Sequence, residues 1–195
     1  MRKAQVERVT RETQISLGLN IDGEGKHRIT TGLPFLDHLL SALSKHSRSD
    51  LTLKARGDLE VDPHHLVEDV GICLGDALRE ALSDKSGIVR YGSATVPMDD
   101  ALVLCALDLS GRPYLSYGLS LKARRVEKFA TELVEEFFRA LVASGGITLH
   151  LNQLAGRNAH HVTEAAFKAF ARALDQAAQK DPRVKGVPST KGRLE

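Results

Sequence analysis

One pattern constrains this chain of 195 residues more than any other, because it occurs twice. The first copy is Asp62-Pro63-His64-His65-Leu66-Val67-Glu68-Asp69, the second Asn158-Ala159-His160-His161-Val162-Thr163-Glu164-Ala165. Each opens with a helix-start signal, Asp62-Pro63 or Asn158, and runs into a helix-periodic apolar stretch. Residues four apart share a helix face, so His64 with Glu68, and His160 with Glu164, can grip one ion. Neighbouring residues are turned about 100° from each other, so His65 and His161 must reach something else. A lone His-His pair is ordinarily an exposed helix start. A second copy with the same glutamate spacing argues instead for two metal sites, each fed by both copies.

His64 and His160 lie 96 positions apart, almost half the chain, so the halves can be aligned. Leu36-Asp37-His38-Leu39-Leu40-Ser41-Ala42-Leu43 matches Val134-Glu135-Glu136-Phe137-Phe138-Arg139-Ala140-Leu141, with a two-residue loop difference before the His-His pair. Each half reads as strands, a helix, a strand and then the motif helix. The expected division is 1–92, 93–183 and a tail, 184–195, too rich in Gly and Pro for helix or strand. Residues 5 to 21 read as a strand, as do 100 to 109 and 114 to 121, while 123 to 130 form a basic loop. The expected fold is α+β, internally duplicated, with two sheets sandwiching paired helices.

The alignment makes His38 and Glu136 equivalent, and both side-chain types bind metal. A consistent arrangement puts His38, His65, His160 and Glu164 around one ion, and His64, Glu68, Glu136 and His161 around the other. His150 is the nearest competitor of Glu136. Imidazole and carboxylate without thiolate suit Mn²⁺, Fe²⁺, Co²⁺ or Zn²⁺, and six-coordination with open positions favours Mn²⁺.

A net charge of +2 gives no general pull toward nucleic acid or membrane. No apolar run approaches the roughly 18 residues of a membrane span, and the N-terminus lacks a signal-peptide core, so the expected compartment is the cytoplasm. Cys73 and Cys105 lie in apolar runs and read as buried thiols.

Several segments, in order, resemble the imidazoleglycerol-phosphate dehydratase family: Gly32-Leu33-Pro34-Phe35-Leu36-Asp37-His38, Gly57-Asp58-Leu59, both His-His motifs, Leu109-Ser110-Gly111-Arg112-Pro113 and Pro188-Ser189-Thr190-Lys191-Gly192. Many relatives have histidine where Glu136 stands. The resemblance implies halves like domain 2 of ribosomal protein S5, two manganese ions per site, and a 24-subunit shell with active sites at subunit interfaces. It also implies dehydration of imidazole glycerol phosphate to imidazole acetol phosphate, a step of histidine biosynthesis.

The hydrogen beside the departing hydroxyl is not acidic, so direct abstraction would be slow. An imidazole held as its anion by two cations could instead expel the hydroxyl, after which proton loss gives an enol that becomes the ketone. Glu164 or Glu12 is expected to handle protons, with His46, eight residues after His38, a further candidate. Alone, Glu12 is an exposed strand carboxylate and His46 a helix-end histidine. Positions matching Glu12, Arg90, Arg112, Ser189, Thr190 and Lys191 contact substrate in the family, and the last five suit a phosphate. Two rivals remain. A two-metal hydrolase would need ions roughly 3.5–4 Å apart. A metal-storage or shell-forming protein would leave Arg90, Arg112 and Lys191 without purpose.

Overall fold

The computed structural model describes residues 1–194. The chain begins with a hairpin, β1 (Lys3–Val9) and β2 (Thr13–Asn20), paired antiparallel. The single strand expected over residues 5 to 21 is therefore two strands. Ala4 and Val6 put even positions toward the core, whereas Ile15, Leu17 and Leu19 put odd ones, so the phase breaks between them. Val9 belongs to neither set and is exposed. The Thr10 hydroxyl makes the break by accepting the N–H groups of Glu12 and Thr13 at 3.1 and 2.9 Å.

Then come β3 (His27–Thr30), α1 (Pro34–Ser47), β4 (Asp50–Gly57) and α2 (His64–Leu82). β4 pairs antiparallel with β2 and parallel with β3, giving the sheet order β1-β2-β4-β3. The second half repeats this plan with β5 (Tyr91–Met98), β6 (Ala101–Asp108), β7 (Tyr114–Gly118), a small hairpin of β8 (Arg125–Val126) and β9 (Phe129–Ala130), α3 (Leu133–Gly145), β10 (Thr148–Ala155) and α4 (Ala159–Ala178). Its sheet runs β5-β6-β10-β7, with the same two antiparallel pairings and one parallel pairing. The hairpin β8–β9 occupies the stretch expected to be a basic loop. Gly57 precedes His64 by seven residues and Ala155 precedes His160 by five, the two-residue difference that the aligned halves require.

In the first half α1 lies on β3 and α2 on β1 and β2; in the second α4 lies on β5 and β6 and α3 beside β7. The halves join through helices, α1 against α4 and α2 against α3. Close approach of the second pair depends on two glycines. A Cβ at Gly71 would sit 2.7 Å from the Phe137 carbonyl oxygen, and one at Gly75 2.6 Å from that of Leu141. Phe137 and Phe138 on α3 meet Phe167 on α4 with ring centroids 5.1 and 4.9 Å away, and Phe170 joins Phe138 at 5.6 Å. All four are fully buried, worth about 1.5–3 kcal/mol each in apolar burial. Sheet, helices and sheet thus share one core, as the α+β duplication implied. Cys73 and Cys105 are free and buried within it. No helix among the described residues is long and apolar enough to cross a membrane.

Candidate active site

The two motifs sit at the first turns of α2 and α4. Asn158 Oδ1 accepts the main-chain N–H of His160 at 2.9 Å and of His161 at 3.4 Å, while Asp62 Oδ1 accepts that of His64 at 2.7 Å. Across the α1–α4 contact, His38 Nε2 lies 3.0 Å from Glu164 Oε2, and His160 Nε2 lies 3.2 Å from the same oxygen. The three ligand atoms fall within 4.8 Å of one another, the only such group among the described residues. Thr31 steers α1 into this position, its N–H and hydroxyl both donating to Asp37, the neighbour of His38. The Phe35 ring packs on His160 at 5.0 Å and on His38 at 6.3 Å. Phe35 and Phe129 wall an apolar cavity of about 560 Å³ that opens on the trio.

Glu164 is buried, and its second oxygen takes the Lys168 ammonium at 2.6 Å. Burial works to raise the pKa of this carboxyl. The Lys168 ammonium and the hydrogen bond with His38 outweigh it and hold the pKa at about 2. A buried anion with two imidazole nitrogens on one oxygen is a fitting donor set for a divalent cation.

The second histidine of each pair is held from behind. His65 Nδ1 lies 3.1 Å from Asp58 and 3.9 Å from Glu12, and the Asp58 hydrogen bond raises the pKa of His65. His161 Nδ1 lies 2.7 Å from Asp100, which also accepts the N–H groups of Arg157 and Asn158. A carboxylate taking Nδ1–H fixes the tautomer and leaves Nε2 with the lone pair a metal needs.

Within one chain the expected ligand sets assemble only in part. His65 does not join His38, His160 and Glu164, since it faces Asp58 on another side of its helix. His64 Nε2 stands 3.7 Å from Glu68, as the spacing implied, yet neither Glu136 nor His161 completes a group with them. Glu68 and Glu136 are both acidic side chains, where the equivalent pair, Glu164 and His38, joins an acid to an imidazole. Glu136 turns to Arg139 at 3.6 Å. His150 stacks beside Tyr114 and takes no part.

A second cavity of about 790 Å³ lies against the C-terminal segment. Arg90, Arg112, Ser189, Thr190 and Lys191, the five residues expected to suit a phosphate, all line it, together with Arg193. It shares no lining residue with the cavity at the metal-type trio. Glu12 belongs to the neighbourhood of His65 and not to this cavity. His46 does not line the cavity at the trio, although the Glu164 charge reaches it. Burial, with Lys168 and Arg172 nearby, pushes its pKa below the ordinary histidine value.

Sequence reasoning assigned no role to Lys168, Asp58, Asp100 or Asp108. Lys168 follows Glu164 by four residues, so helical spacing alone could have placed it on that face. The three aspartates come from turns or a strand end and leave no periodic signal.

A family model described as Imidazoleglycerol-phosphate dehydratase matches residues 31–174. The chain belongs to this family. It is 58% identical over 193 residues to the imidazoleglycerol-phosphate dehydratase of Moorella thermoacetica, covering 99% of this chain and 98% of that protein. It is also 58% identical to that of Acetivibrio thermocellus, covering 99% of each. A crystal structure of the Staphylococcus aureus imidazoleglycerol-phosphate dehydratase superposes with a TM-score of 0.84 at 42% identity, over 92% of this chain and 99% of that one. That of Pyrococcus furiosus gives 0.84 and 42% over 97% and 100%.

Proposed function

We propose that this chain dehydrates imidazole glycerol phosphate to imidazole acetol phosphate in histidine biosynthesis, as a cytoplasmic hydro-lyase with two Mn²⁺ ions per active site. One observation carries the reading beyond family membership. A single chain holds an imidazole–carboxylate cluster suited to cations and a separate cationic cavity suited to phosphate. The substrate carries both an imidazole and a phosphate. A storage shell would have no use for the second cavity.

The two places share no lining residue within one chain, which supports sites completed by a second copy, as interfacial sites in a 24-subunit shell would be. His38, His65, His160 and Glu164 would hold one ion, and His64, Glu68, Glu136 and His161 the other, contributed by different copies. When bound, such cations stabilise the substrate's imidazole as its anion, which supplies the push on the departing hydroxyl.

The chain's own residues do the rest. In the neutral rings Asp58 and Asp100 hold the proton of His65 and His161 at Nδ1, which directs the Nε2 lone pair toward an ion. Both oxygens of Glu164 are engaged, one by imidazoles and one by Lys168, so Glu164 serves as a ligand. Glu12, half exposed beside His65, is the better placed to take the proton from the substrate carbon. Arg112, Ser189, Thr190 and Lys191 donate to the phosphate, and Phe35 and Phe129 keep water from the ring.

The test is ketone formation from imidazole glycerol phosphate by purified protein, with chelator and with Mn²⁺ restored. Activity that chelator abolishes and Mn²⁺ returns supports the reading. Full turnover under chelation would refute the metal role, and no turnover in any condition would refute the activity.

A further inference from the structure

Resting on the phosphate reading of the cavity beside the tail, we infer that Asp108 is its positioning residue: one carboxylate that aims Arg90 and Arg112 and, through Arg90, fixes the tail. Asp108 ends β6 and is largely buried. Its Oδ1 accepts from Arg90 Nε at 2.7 Å and its Oδ2 from Arg90 Nη2 at 3.0 Å, a two-pronged pair, while Arg112 Nη2 stands 3.7 Å from Oδ2. The third arm of Arg90, Nη1, donates to the Pro188 carbonyl at 2.8 Å. Pro188 immediately precedes Ser189, Thr190 and Lys191, so this bond sets where those donors begin.

Arg90 is committed to that pose on every side. Its φ is +78°, a left-handed backbone that a side chain adopts only when its surroundings compel it. Its N–H donates to the Ala177 carbonyl, its own carbonyl accepts from Leu109, and its guanidinium lies 4.6 Å over the Tyr91 ring. Around the same segment the Gly87 N–H donates to the Gly186 carbonyl at 2.7 Å and the Asp181 N–H to the Gly87 carbonyl at 2.9 Å. With one carboxylate against two guanidiniums, a positive charge remains for an anion, and the N–H groups of Arg90 not taken by Asp108 or Pro188 are available to it.

Charge and geometry make opposite forecasts, which gives a decisive experiment. Asp108→Asn removes a negative charge beside the cavity, so a pure field effect would tighten anion binding. If Asp108 acts by positioning, binding weakens. The measurement is the inhibition constant of inorganic phosphate against imidazole glycerol phosphate, in the assembled Mn²⁺-loaded protein, for wild type, Asp108→Asn, Arg90→Lys and the double variant. Arg90→Lys keeps the charge and loses the fork, so it tests the same link should Asp108→Asn fold poorly.

Each single variant is expected to raise the phosphate constant and the substrate KM about tenfold, the loss of one oriented charge-assisted bond, with the change falling on KM more than on kcat. The double variant should be no worse than either single one, since both break one linkage. An unchanged or lowered phosphate constant in Asp108→Asn, or additive losses in the double variant, would overturn the positioning role. Absence of phosphate competition in the wild type, with Lys191→Ala also neutral, would overturn the phosphate reading itself and this inference with it.

Discussion

At the scale of single residues, the imidazole–carboxylate trio is a matter of one oxygen. Glu164 Oε2 receives two imidazole nitrogens at 3.0 and 3.2 Å, while Oε1 is occupied by Lys168. The helical part of this was legible, because a His and a Glu four apart share a face whatever surrounds them. The carboxylates behind His65 and His161 were not. Asp58 lies seven residues before its histidine and Asp100 sixty-one, both in connecting segments whose path only the folded chain decides. Their importance is testable. Asp58→Asn would present an N–H to His65 Nδ1 and move the ring proton to Nε2, the atom meant for metal. Mn²⁺ affinity measured by titration calorimetry should fall roughly 10–100-fold. Unaltered affinity would mean that His65 binds no ion.

At the scale of elements, the helices were easier to read than the strands. Long amphipathic runs with Pro34, Asp62 and Asn158 at their starts announce α1, α2 and α4. β5 gave no comparable signal. Gly92 is there because a Cβ would collide with the Ala173 carbonyl of α4, and Pro97 is tolerated because β5 is an edge strand. Packing requirements replaced the alternating pattern that marks an ordinary strand. The same kind of constraint governs α2 against α3. Gly71→Ala should destabilise the fold by about 1–3 kcal/mol, since the obstacle is backbone and cannot swing aside. A thermal melt within a degree of wild type would contradict that packing. In the tail, Lys191→Ala should raise KM through a lost phosphate contact, and unchanged kinetics would remove Lys191 from the site.

At the scale of the whole molecule, the duplication was fully visible in the spacing of the motifs, and the two sheets repeat one strand order to the last pairing. What motif spacing alone could not convey is that only His38, His160 and Glu164 gather within one chain, and that the cavity lined by Arg90 and Arg112 shares no residue with the one beside them. A motif records which groups can share an ion, not which copy supplies them. If sites are shared between copies, mixing two impaired variants, His160→Asn and Lys191→Ala, during assembly should restore part of the activity measured at low substrate concentration. Mixed assemblies no more active than the average of their parents would argue for sites built from one chain.

The metal reading underlies all three scales, and bound Mn²⁺ per chain, counted after equilibrium dialysis of the assembled protein, tests it most directly. Two ions per chain in the wild type, falling in His160→Asn, is the expected result. A wild-type protein that retains no Mn²⁺, or a His160→Asn variant that retains as much as the wild type, would contradict it.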